Sequence, residues 1–560
     1  MGTAQKKGKS MKKIKKIFAV LLTLAMVLGM NATVFAATDT SLTTATVKGV
    51  ESETGTTIAV NAYQIVKYDE SGKYVPAISG SISDATAVTA AEVQALAGRT
   101  SELGTPVPFT LDGSDYIYTG DKLTAGTWLV QVTGSQQYIY NPAIISVRVD
   151  TDGNLVYGTL DFDSDEWNTT GVVYVKKSAP NITKTAGENS QGVQYGDVIP
   201  FKIETDIPDY TATKLDQDIT YIISDNLAGL ELVVDDEHPV GVKVNSAEAS
   251  DAVKGVVTAA ISNGNTSFVI DFSNVKAEGK TNFDLIKDNK NQKLEITYYA
   301  KVTAAAEVTV DKSNNTATLQ YSTNDTVQKK TSETKHYTFG IGTGMNGETT
   351  NKTNEFIKID EDGNVKVEEG VTTITKGLQG AEFELYYMDV NGQDKVYILD
   401  ETSTTEPKPH KVFTTDAEGR LQVNGLDSDK TYFLIETKAP VGYTVDATPI
   451  KVEIDANYGT DGAPTDYTVK ITGKDGKVYS TKYKYSENVT PSFDNNLTVN
   501  TTTSTTTLDG VSNPYGFTNT TLASLPSTGG IGTTIFTIGG CAIMIIAAGL
   551  YFATRRRTAK

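Results

Sequence analysis

The stretch Asn314-Asn315-Thr316-Ala317-Thr318-Leu319-Gln320-Tyr321 alternates between apolar and polar side chains. Successive side chains of a strand point to opposite faces, so Asn315 shares a face with Ala317, Leu319 and Tyr321. The sequence therefore predicts a half-buried strand with Asn315 pointing into the core. A carboxamide is costly to bury without a partner, so this asparagine requires one.

The same pattern recurs along most of the chain, as in Ile145-Ser146-Val147-Arg148-Val149. Short alternating runs rich in Thr, Val, Ile and Tyr are bounded by Gly, Asp and Asn, which is typical of strands and turns. We predict an all-β fold of tandem immunoglobulin-like β-sandwiches, about three by length. One helix is expected after Thr89, because Thr89 and Glu92 form a capping-box pattern.

Both ends of the chain read as targeting segments. Residues 1–36 have a lysine-rich start, an apolar stretch and the small-residue site Val34-Phe35-Ala36, which predicts a secretory signal peptide, with Met11 as an alternative start. At the other end, an apolar run at 531–553 predicts a transmembrane helix, and 554–560 a basic cytoplasmic tail.

The pentapeptide Leu525-Pro526-Ser527-Thr528-Gly529 precedes that apolar run. It resembles the LPxTG sorting signal of Gram-positive surface proteins, whose order of pentapeptide, span and basic tail it follows. The resemblance implies that a sortase cleaves between Thr528 and Gly529 and transfers the Thr528 acyl group to an amine. The alternative is a plain single-span anchor after a flexible linker.

Composition excludes several classes of function. The chain carries 50 basic and 68 acidic residues, and its net charge of −18 disfavours nucleic acid as a partner. The single cysteine, Cys541, lies in the apolar run, and the three histidines are far apart, so disulfides, zinc sites and Cys/His catalysis are not expected. We predict no cofactor and no metal, and we interpret the aspartates at 161, 163 and 165 as turn residues.

A motif around Trp167 ends the first domain. The segment Trp167-Asn-Thr-Thr-Gly-Val-Val-Tyr-Val-Lys176-Lys177 resembles the WxxxVxVYPK pilin motif of sortase-assembled pilus subunits, although Gly171 replaces the first Val and Val175 replaces Pro. The resemblance implies that Lys176 is the amine that accepts the acyl group of the next subunit, with Lys177 as the fallback. The alternative is two solvated lysines in a linker.

Three polar residues of the second domain fall on inward faces of their strands. Lys184 follows Ile182 with core parity, Asp225 follows Ile223, and Asn315 points inward as above. The segments resemble the isopeptide-forming D2 domain of fimbrial subunits. Burial favours the neutral amine and the protonated acid, so Lys184 could attack the Asn315 amide while Asp225 donates a hydrogen bond to its oxygen. The alternative is a buried Lys–Asp ion pair with Asn315 as a partner.

The third domain resembles the B-type domain of collagen adhesins, through Phe356-Ile-Lys358-Ile-Asp360 and the E-box Tyr432-Phe-Leu-Ile-Glu436-Thr. The resemblance implies a second bond, between Lys358 and Asn519, assisted by Glu436. Parity supports Asn519 but leaves Lys358 open, because its strand is apolar on both faces. The first domain has Gln131 at the E-box place, so no bond is expected there, although Lys48 lies on its first strand.

Together these segments predict a backbone subunit of a covalent, cell-wall-anchored pilus, located at the cell surface. Its implied partners are a pilus-specific and a housekeeping sortase, other copies of the chain, minor tip and base pilins, and peptidoglycan. The alternative is a monomeric wall-anchored adhesin, and a secreted enzyme has no catalytic set in its favour. The predicted boundaries are 1–36 signal peptide, 37–176 N-terminal sandwich, 177–340 D2 sandwich, 353–520 B-type sandwich, 525–529 sorting motif, 531–553 span and 554–560 tail.

Overall fold

The structure is a computed structural model that divides the chain into two compact units, residues 1–337 with 489–503 and residues 338–488 with 504–560. The described residues are 41–149, 155–160, 167–168, 171–187, 191–210, 218–227, 229–303, 315–324, 326–343, 353–369, 371–460, 462–494, 497–522 and 532–557. The predicted signal peptide and the Leu525–Gly529 motif lie outside them. The predicted three-domain boundaries stay a prediction.

The N-terminal part of the first unit is built on a ten-stranded sheet of order β10-β9-β8-β6-β2-β4-β5-β1-β11, with β3 beside β2. Its elements are β1 Ser41–Lys48, β2 Ala59–Tyr68, β3 Tyr74–Pro76, helix α1 Ala90–Ala97, β4 Val107–Asp112, β5 Asp115–Thr124, β6 Gly126–Thr133, β7 Ile139–Tyr140, β8 Ala143–Val149, β9 Leu155–Leu160, β10 Trp167–Asn168, β11 Val172–Tyr174 and β12 Lys177–Ser178. The first strand, β1, pairs in parallel with β11, and β12 pairs with β7.

The predicted helix is confirmed, together with its capping box. Helix α1 begins after Thr89, whose hydroxyl accepts from the Glu92 backbone N–H at 3.3 Å, while the Glu92 carboxylate accepts from the Thr89 N–H at 2.8 Å. Two backbone donors that the first turn leaves unpaired are thereby satisfied. Burial raises the pKa of the Glu92 carboxyl, but hydrogen bonds from the N–H and hydroxyl groups of Ser83 and Thr89 outweigh it and lower the pKa to about 2.

The rest of the first unit is a two-sheet sandwich. Its elements are β13 Ile182–Ala186, β14 Val198–Asp206, β15 Tyr221–Asn226, β16 Leu230–Val233, β17 Gly241–Val244, β18 Ala247–Glu248, helix α2 Asp251–Ala260, β19 Ser267–Asp271, β20 Asn274–Val275, β21 Lys280–Thr281, β22 Lys293–Val302, β23 Thr316–Ser322 and β24 Val327–Glu333. One sheet has the order β13-β14-β22-β17-β18 with β16 beside β22, the other has β19-β15-β23-β24, and β20 pairs with β21. A single buried cluster draws residues from both large sheets, so they pack face to face.

The second unit repeats the sandwich plan. Its strands are β25 Phe339–Ile341, β26 Phe356–Glu368, β27 Val371–Gly377, β28 Glu382–Met388, β29 Lys395–Tyr397, β30 Phe413–Thr414, β31 Val423–Leu426, β32 Thr431–Lys438, β33 Ile450–Tyr458, β34 Pro464–Thr472, β35 Val478–Asp494, β36 Leu497–Leu508 and β37 Tyr515–Asn519, except that the parts of β35 and β36 within residues 489–503 belong to the first unit. An eight-stranded sheet β29-β28-β32-β33-β34-β35-β36, with β30 beside β28, accompanies a three-stranded sheet β27-β26-β37 and the pair β25-β31. Phe356 of the small sheet packs edge-on against Phe383 of the large one, with ring centroids 5.2 Å apart.

Four short 3₁₀ turns complete the described elements, at Thr100–Glu102, Lys276–Glu278, Asn282–Leu285 and Lys287–Asn289. Residues 532–553 of the predicted spanning segment lie in a helix, α3, at Gly532–Arg557. In the described part of the chain, we find no helix that is long and apolar enough to cross a membrane. The all-β fold of several sandwiches is confirmed, and the membrane role of α3 stays a prediction.

Candidate functional sites

The structure brings Lys184, Asp225 and Asn315 together in the core of the second sandwich. The Lys184 Nζ atom lies 2.8 and 2.9 Å from the two carboxyl oxygens of Asp225 and 2.6 Å from the amide Oδ1 of Asn315. Lys184 comes from β13 in one sheet, whereas Asp225 on β15 and Asn315 just before β23 belong to the other. A bond between Lys184 and Asn315 would therefore tie the two sheets to each other.

Burial controls the charge of this first site. The side chains of Lys184 and Asp225 are both fully buried, and the Lys184 Nζ atom lies 5.0 Å from the centroid of the Phe201 ring. Desolvation lowers the pKa of Lys184 and raises that of Asp225, each against the attraction of the other. Both shifts favour the neutral amine and the neutral acid, which are the forms that condensation with an amide requires.

The contacts of the carboxyl group differ from the expected ones. We expected Asp225 to donate to the amide oxygen of Asn315, but Lys184 itself donates to that oxygen. Asp225 instead accepts a hydrogen bond from the Tyr298 hydroxyl in addition to those from Lys184. In the geometry described, Asp225 is thus placed to act on the amine.

The second candidate site unites Lys358, Glu436 and Asn519, all of which are buried. The Lys358 Nζ atom donates to Asn519 Oδ1 and lies 3.2 Å from Glu436 Oε1. The same Oε1 atom accepts from Asn519 Nδ2 at 3.0 Å, and the other carboxyl oxygen accepts from the Asp446 N–H at 2.7 Å. One carboxyl oxygen therefore contacts both the attacking amine and the nitrogen that would leave.

The second site has a different placement in its sandwich. Lys358 on β26 and Asn519 on β37 belong to neighbouring parallel strands of one sheet, with Lys358 opposite Phe517. Glu436 reaches them from β32 of the other sheet. The ambiguous parity of Lys358 is explained, because the first four residues of β26 are all buried. Burial lowers the pKa of Lys358 to about 8, and the Nζ atom lies 4.0 Å from the centroid of the Phe517 ring.

The two lysines of the pilin-like motif lie in different surroundings. Lys176 has an exposed side chain in the connection between β11 and β12, where its carbonyl accepts from the Asn141 N–H at 2.8 Å. Lys177 makes an ion pair with Glu51, and its Nζ atom lies 5.1 Å from the Tyr138 ring centroid. The Trp167 side chain lies outside the described part.

The first domain places Lys48 at its surface, with an ion pair of 3.3 Å to Asp115. Gln131, at the E-box place, donates from its side-chain amide to the Ala97 carbonyl at 3.2 Å. Neither residue is arranged like those of the two buried sites. The expectation that this domain has no internal bond stays a prediction.

Sequence reasoning missed three residues of the first site, Tyr298, which contacts Asp225, Thr334, which contacts Asn315, and His336, which contacts Thr334. Tyr298 lies on β22 with inward parity among Leu294, Ile296 and Ala300, so its alternation could have found it. The register of the β23–β24 hairpin places Thr334 next to Asn315. Ser322 pairs with Val327 and Thr316 with Glu333, so the next pair outward is Asn315 and Thr334. His336 is buried next to the hairpin without a sequence signal of its own.

A fourth residue that sequence reasoning missed is Glu355, whose carboxyl group is buried. It accepts hydrogen bonds from the Tyr483 hydroxyl at 2.5 Å, the Gly342 N–H at 2.8 Å and the Thr353 hydroxyl at 2.8 Å. Burial raises its pKa. In the described residues, no group of three or more His, Cys, Asp or Glu side chains is placed to hold a metal ion.

Comparison with known proteins identifies two segments of the chain. Residues 355–468 match the SpaA prealbumin-like fold domain, and residues 518–560 match the LPXTG cell wall anchor motif. The chain is 25% identical over 482 residues to the trypsin-resistant surface T6 protein of Streptococcus pyogenes serotype M6, covering 77% of this chain and 79% of that protein. The predicted resemblance to sortase-assembled backbone pilins is confirmed. So are the predicted sorting signal and the cell-wall location, whereas cleavage after Thr528 stays a prediction.

Solved structures of similar proteins include the T6 backbone pilin of serotype M6 Streptococcus pyogenes, with a TM-score of 0.47 and 17% identity over 86% of this chain and 98% of that one. The full-length major pilin SpaD from Corynebacterium diphtheriae has a TM-score of 0.35 and 19% identity over 73% and 90% of the two chains. The major pilin SpaA of the same species has a TM-score of 0.37 and 14% identity over 76% and 98%.

The two sites predict the mass of the exported chain. Each condensation of a lysine with an asparagine releases one ammonia, about 17 Da, so intact mass spectrometry should show a deficit of about 34 Da. Lys184→Ala and Lys358→Ala should each restore about half of it, and tryptic digests should contain one branched peptide for each site. A wild-type mass without a deficit would contradict both bonds.

The lowered pKa of Lys358 predicts how the second bond depends on pH. Only the neutral amine attacks, and its fraction falls about tenfold per pH unit below a pKa of about 8. In timed cell-free synthesis, the Lys358–Asn519 branched peptide should form faster as pH rises from 6 to 8 and then level off. A rate that is constant over this range, or that falls with rising pH, would show that deprotonation of Lys358 does not limit the reaction.

Proposed function

We propose that this chain is the structural backbone subunit of a covalently polymerised, cell-wall-anchored pilus. A pilus-specific sortase cleaves between Thr528 and Gly529 and transfers the Thr528 acyl group to Lys176 of the next copy. A housekeeping sortase then joins the polymer to peptidoglycan, and minor pilins occupy its tip and base. The chain is a sortase substrate, and its own chemistry is limited to two internal Lys–Asn bonds.

The observation that carries the proposal is the exposed side chain of Lys176 in a chain that also has a sorting signal. An acyl group held on another protein can be reached only by a side chain that extends from the surface. Lys176 meets this requirement because its side chain is exposed, and it occupies the lysine position of the pilin-like motif; the neighbouring Lys177 is also exposed and contacts Glu51 and Tyr138. The same chain therefore offers an acyl donor at one position and an acceptor at another, which is the minimum for a head-to-tail polymer.

The two buried sites support the proposal because of where they lie along the chain. In a polymer linked through Lys176 and Thr528, tension enters each subunit at Lys176 and leaves at Thr528, and both sites lie between these two residues. The chain leaves Lys176 and soon reaches Lys184, which would be tied to Asn315, 131 positions further on. The next segment reaches Lys358, which would be tied to Asn519, 161 positions further on. Tension would pass through covalent bonds and bypass residues 185–314 and 359–518, so it would not load hydrogen bonds worth about 1 kcal/mol each.

The acceptor lysine can be tested in cells that carry the cognate sortase. Lys176→Ala should remove the ladder of multimers from immunoblots of wall extracts and leave one band, because the acyl group then has no acceptor in the next subunit. Lys177→Ala is the matched control and should keep the ladder.

The outcomes separate the alternatives. A ladder that persists in Lys176→Ala and is lost in Lys177→Ala would move the acceptor to Lys177. A single band in the wild type as well would contradict polymerisation and indicate a monomeric wall-anchored adhesin.

A further inference from the structure

Formation of the Lys184–Asn315 bond requires a proton donor for the departing Asn315 nitrogen, and neither Lys184 nor Asp225 is placed to be that donor. A protonated Lys184 has three protons on Nζ and keeps one in the amide, so two must leave. The Asn315 amide nitrogen has two protons and must gain a third to leave as ammonia. Asp225 contacts Nζ and can take one proton, but neither Asp225 nor Lys184 hydrogen bonds to Asn315 Nδ2.

The group that does contact the leaving nitrogen is a threonine. Asn315 Nδ2 donates to the Thr334 Oγ1 atom at 2.6 Å, and this atom lies 3.1 Å from His336 Nε2. The position of Thr334 is fixed by the hairpin, because its backbone N–H donates to the Asn315 carbonyl at 3.2 Å. His336 is buried and packs edge-on against Phe201, with centroids 5.4 Å apart. The dyad thus lies on the opposite side of the carboxamide from the Lys184 contact.

We propose that Thr334 and His336 deliver the proton that releases ammonia from Asn315. Thr334 is the catalytic residue of this step, since it contacts the reacting atom, and His336 acts through it. The inference rests on the proposed Lys184–Asn315 bond and adds a second proton carrier to it.

In the proposed reaction, two protons leave Lys184 Nζ and one reaches Asn315 Nδ2. Before attack, Lys184 gives one proton to Asp225, and exchange with solvent beside the half-buried Thr334 carries that proton to His336, so that Asp225 is again ionised. The neutral Nζ attacks the Asn315 carbonyl carbon, and Asp225 takes the second proton from Nζ. Once that carbon is tetrahedral, Nδ2 has a lone pair, so the Thr334 hydroxyl donates to it and is reprotonated by His336. The C–Nδ2 bond breaks, and the products are the amide, ammonia, protonated Asp225 and neutral His336.

The second site shows why such a dyad is needed only at the first. There, Glu436 Oε1 lies 3.2 Å from Lys358 Nζ and 3.0 Å from Asn519 Nδ2, so one oxygen can take a proton from the amine and return it to the leaving nitrogen. At the first site the carboxyl belongs to the same sheet as Asn315 and, of the two reacting nitrogen atoms, hydrogen bonds only with the amine. The dyad supplies the missing contact.

The test follows both bonds in one full-length exported chain during timed cell-free synthesis, by quantifying the two branched peptides. Thr334→Val removes the hydroxyl at nearly constant volume and should slow the Lys184–Asn315 bond by about a hundredfold. Thr334→Ser keeps the hydroxyl and should stay within a fewfold of the wild type. The Lys358–Asn519 bond should form at the wild-type rate in both variants and serves as the internal reference.

His336 is tested by chemical rescue. His336→Gly should slow the first bond as Thr334→Val does, and added imidazole should restore part of the rate, which a purely structural role would not predict. Hydrogen-exchange protection of β15 and β23 shows whether each variant folds, and if Thr334→Val does not fold, the rescue decides.

Any of three results would overturn the inference. The first is a wild-type rate of the first bond in Thr334→Val, the second is an equal loss of rate in Thr334→Ser and Thr334→Val, and the third is no imidazole rescue in a folded His336→Gly. A wild-type chain without the Lys184–Asn315 peptide would instead contradict the proposed bond itself.

Discussion

The burial of a lysine amine beside an asparagine is the constraint on which both sites depend. Removing an ammonium and a carboxylate from water costs several kcal/mol for each ion, and their mutual attraction does not always offset that cost. Lys184 and Lys358 have no exposed side-chain surface, so each sandwich shifts its lysine towards the neutral, nucleophilic form. The same desolvation that would make an unreacted pair costly therefore favours its chemistry, and amide formation removes the lysine charge altogether.

The two sandwiches reach this condition by different routes. In the first, the bond would join two sheets, and the acid approaches from the sheet that carries the asparagine. In the second, the bond would join two parallel strands of one sheet, and the acid approaches from the other sheet. Which atoms the carboxyl can contact follows from this placement, so Glu436 contacts both nitrogens whereas Asp225 contacts one. The contacts around the asparagine side chain thus determine how the lysine and asparagine can react, whereas the arrangement of the sheets differs between the two sandwiches.

Strand parity predicted a large part of the first site from the sequence. Asp225 follows alternating apolar residues on its strand, Asn315 precedes them on its own, and both side chains are buried as this parity predicts. Parity could not place Lys358, since β26 is buried on both faces. It also could not predict which sheet the acid belongs to, because that depends on the pairing of distant strands. His336 was missed for the same reason, as its contact with Thr334 depends on tertiary packing.

The N-terminal domain has a pair of parallel strands like that of the second site, but its lysine side chains point to the solvent and not into the core. Its first and last strands are also parallel, with Lys48 opposite Tyr174 as Lys358 is opposite Phe517. Two positions beyond each aromatic residue stand Lys176 and Asn519. Val173 and Val175 are the buried residues in this segment of the first domain, so Lys48 and Lys176 point outward. Side chains alternate between the two faces of a strand, so a shift of one residue moves a whole set of them from the core to the surface. A lysine position that would form an internal bond in one domain can therefore form a bond with another molecule in the other. In the proposed polymer, load enters at Lys176 and does not pass through the residues before it, so an internal tie in this domain would carry no tension.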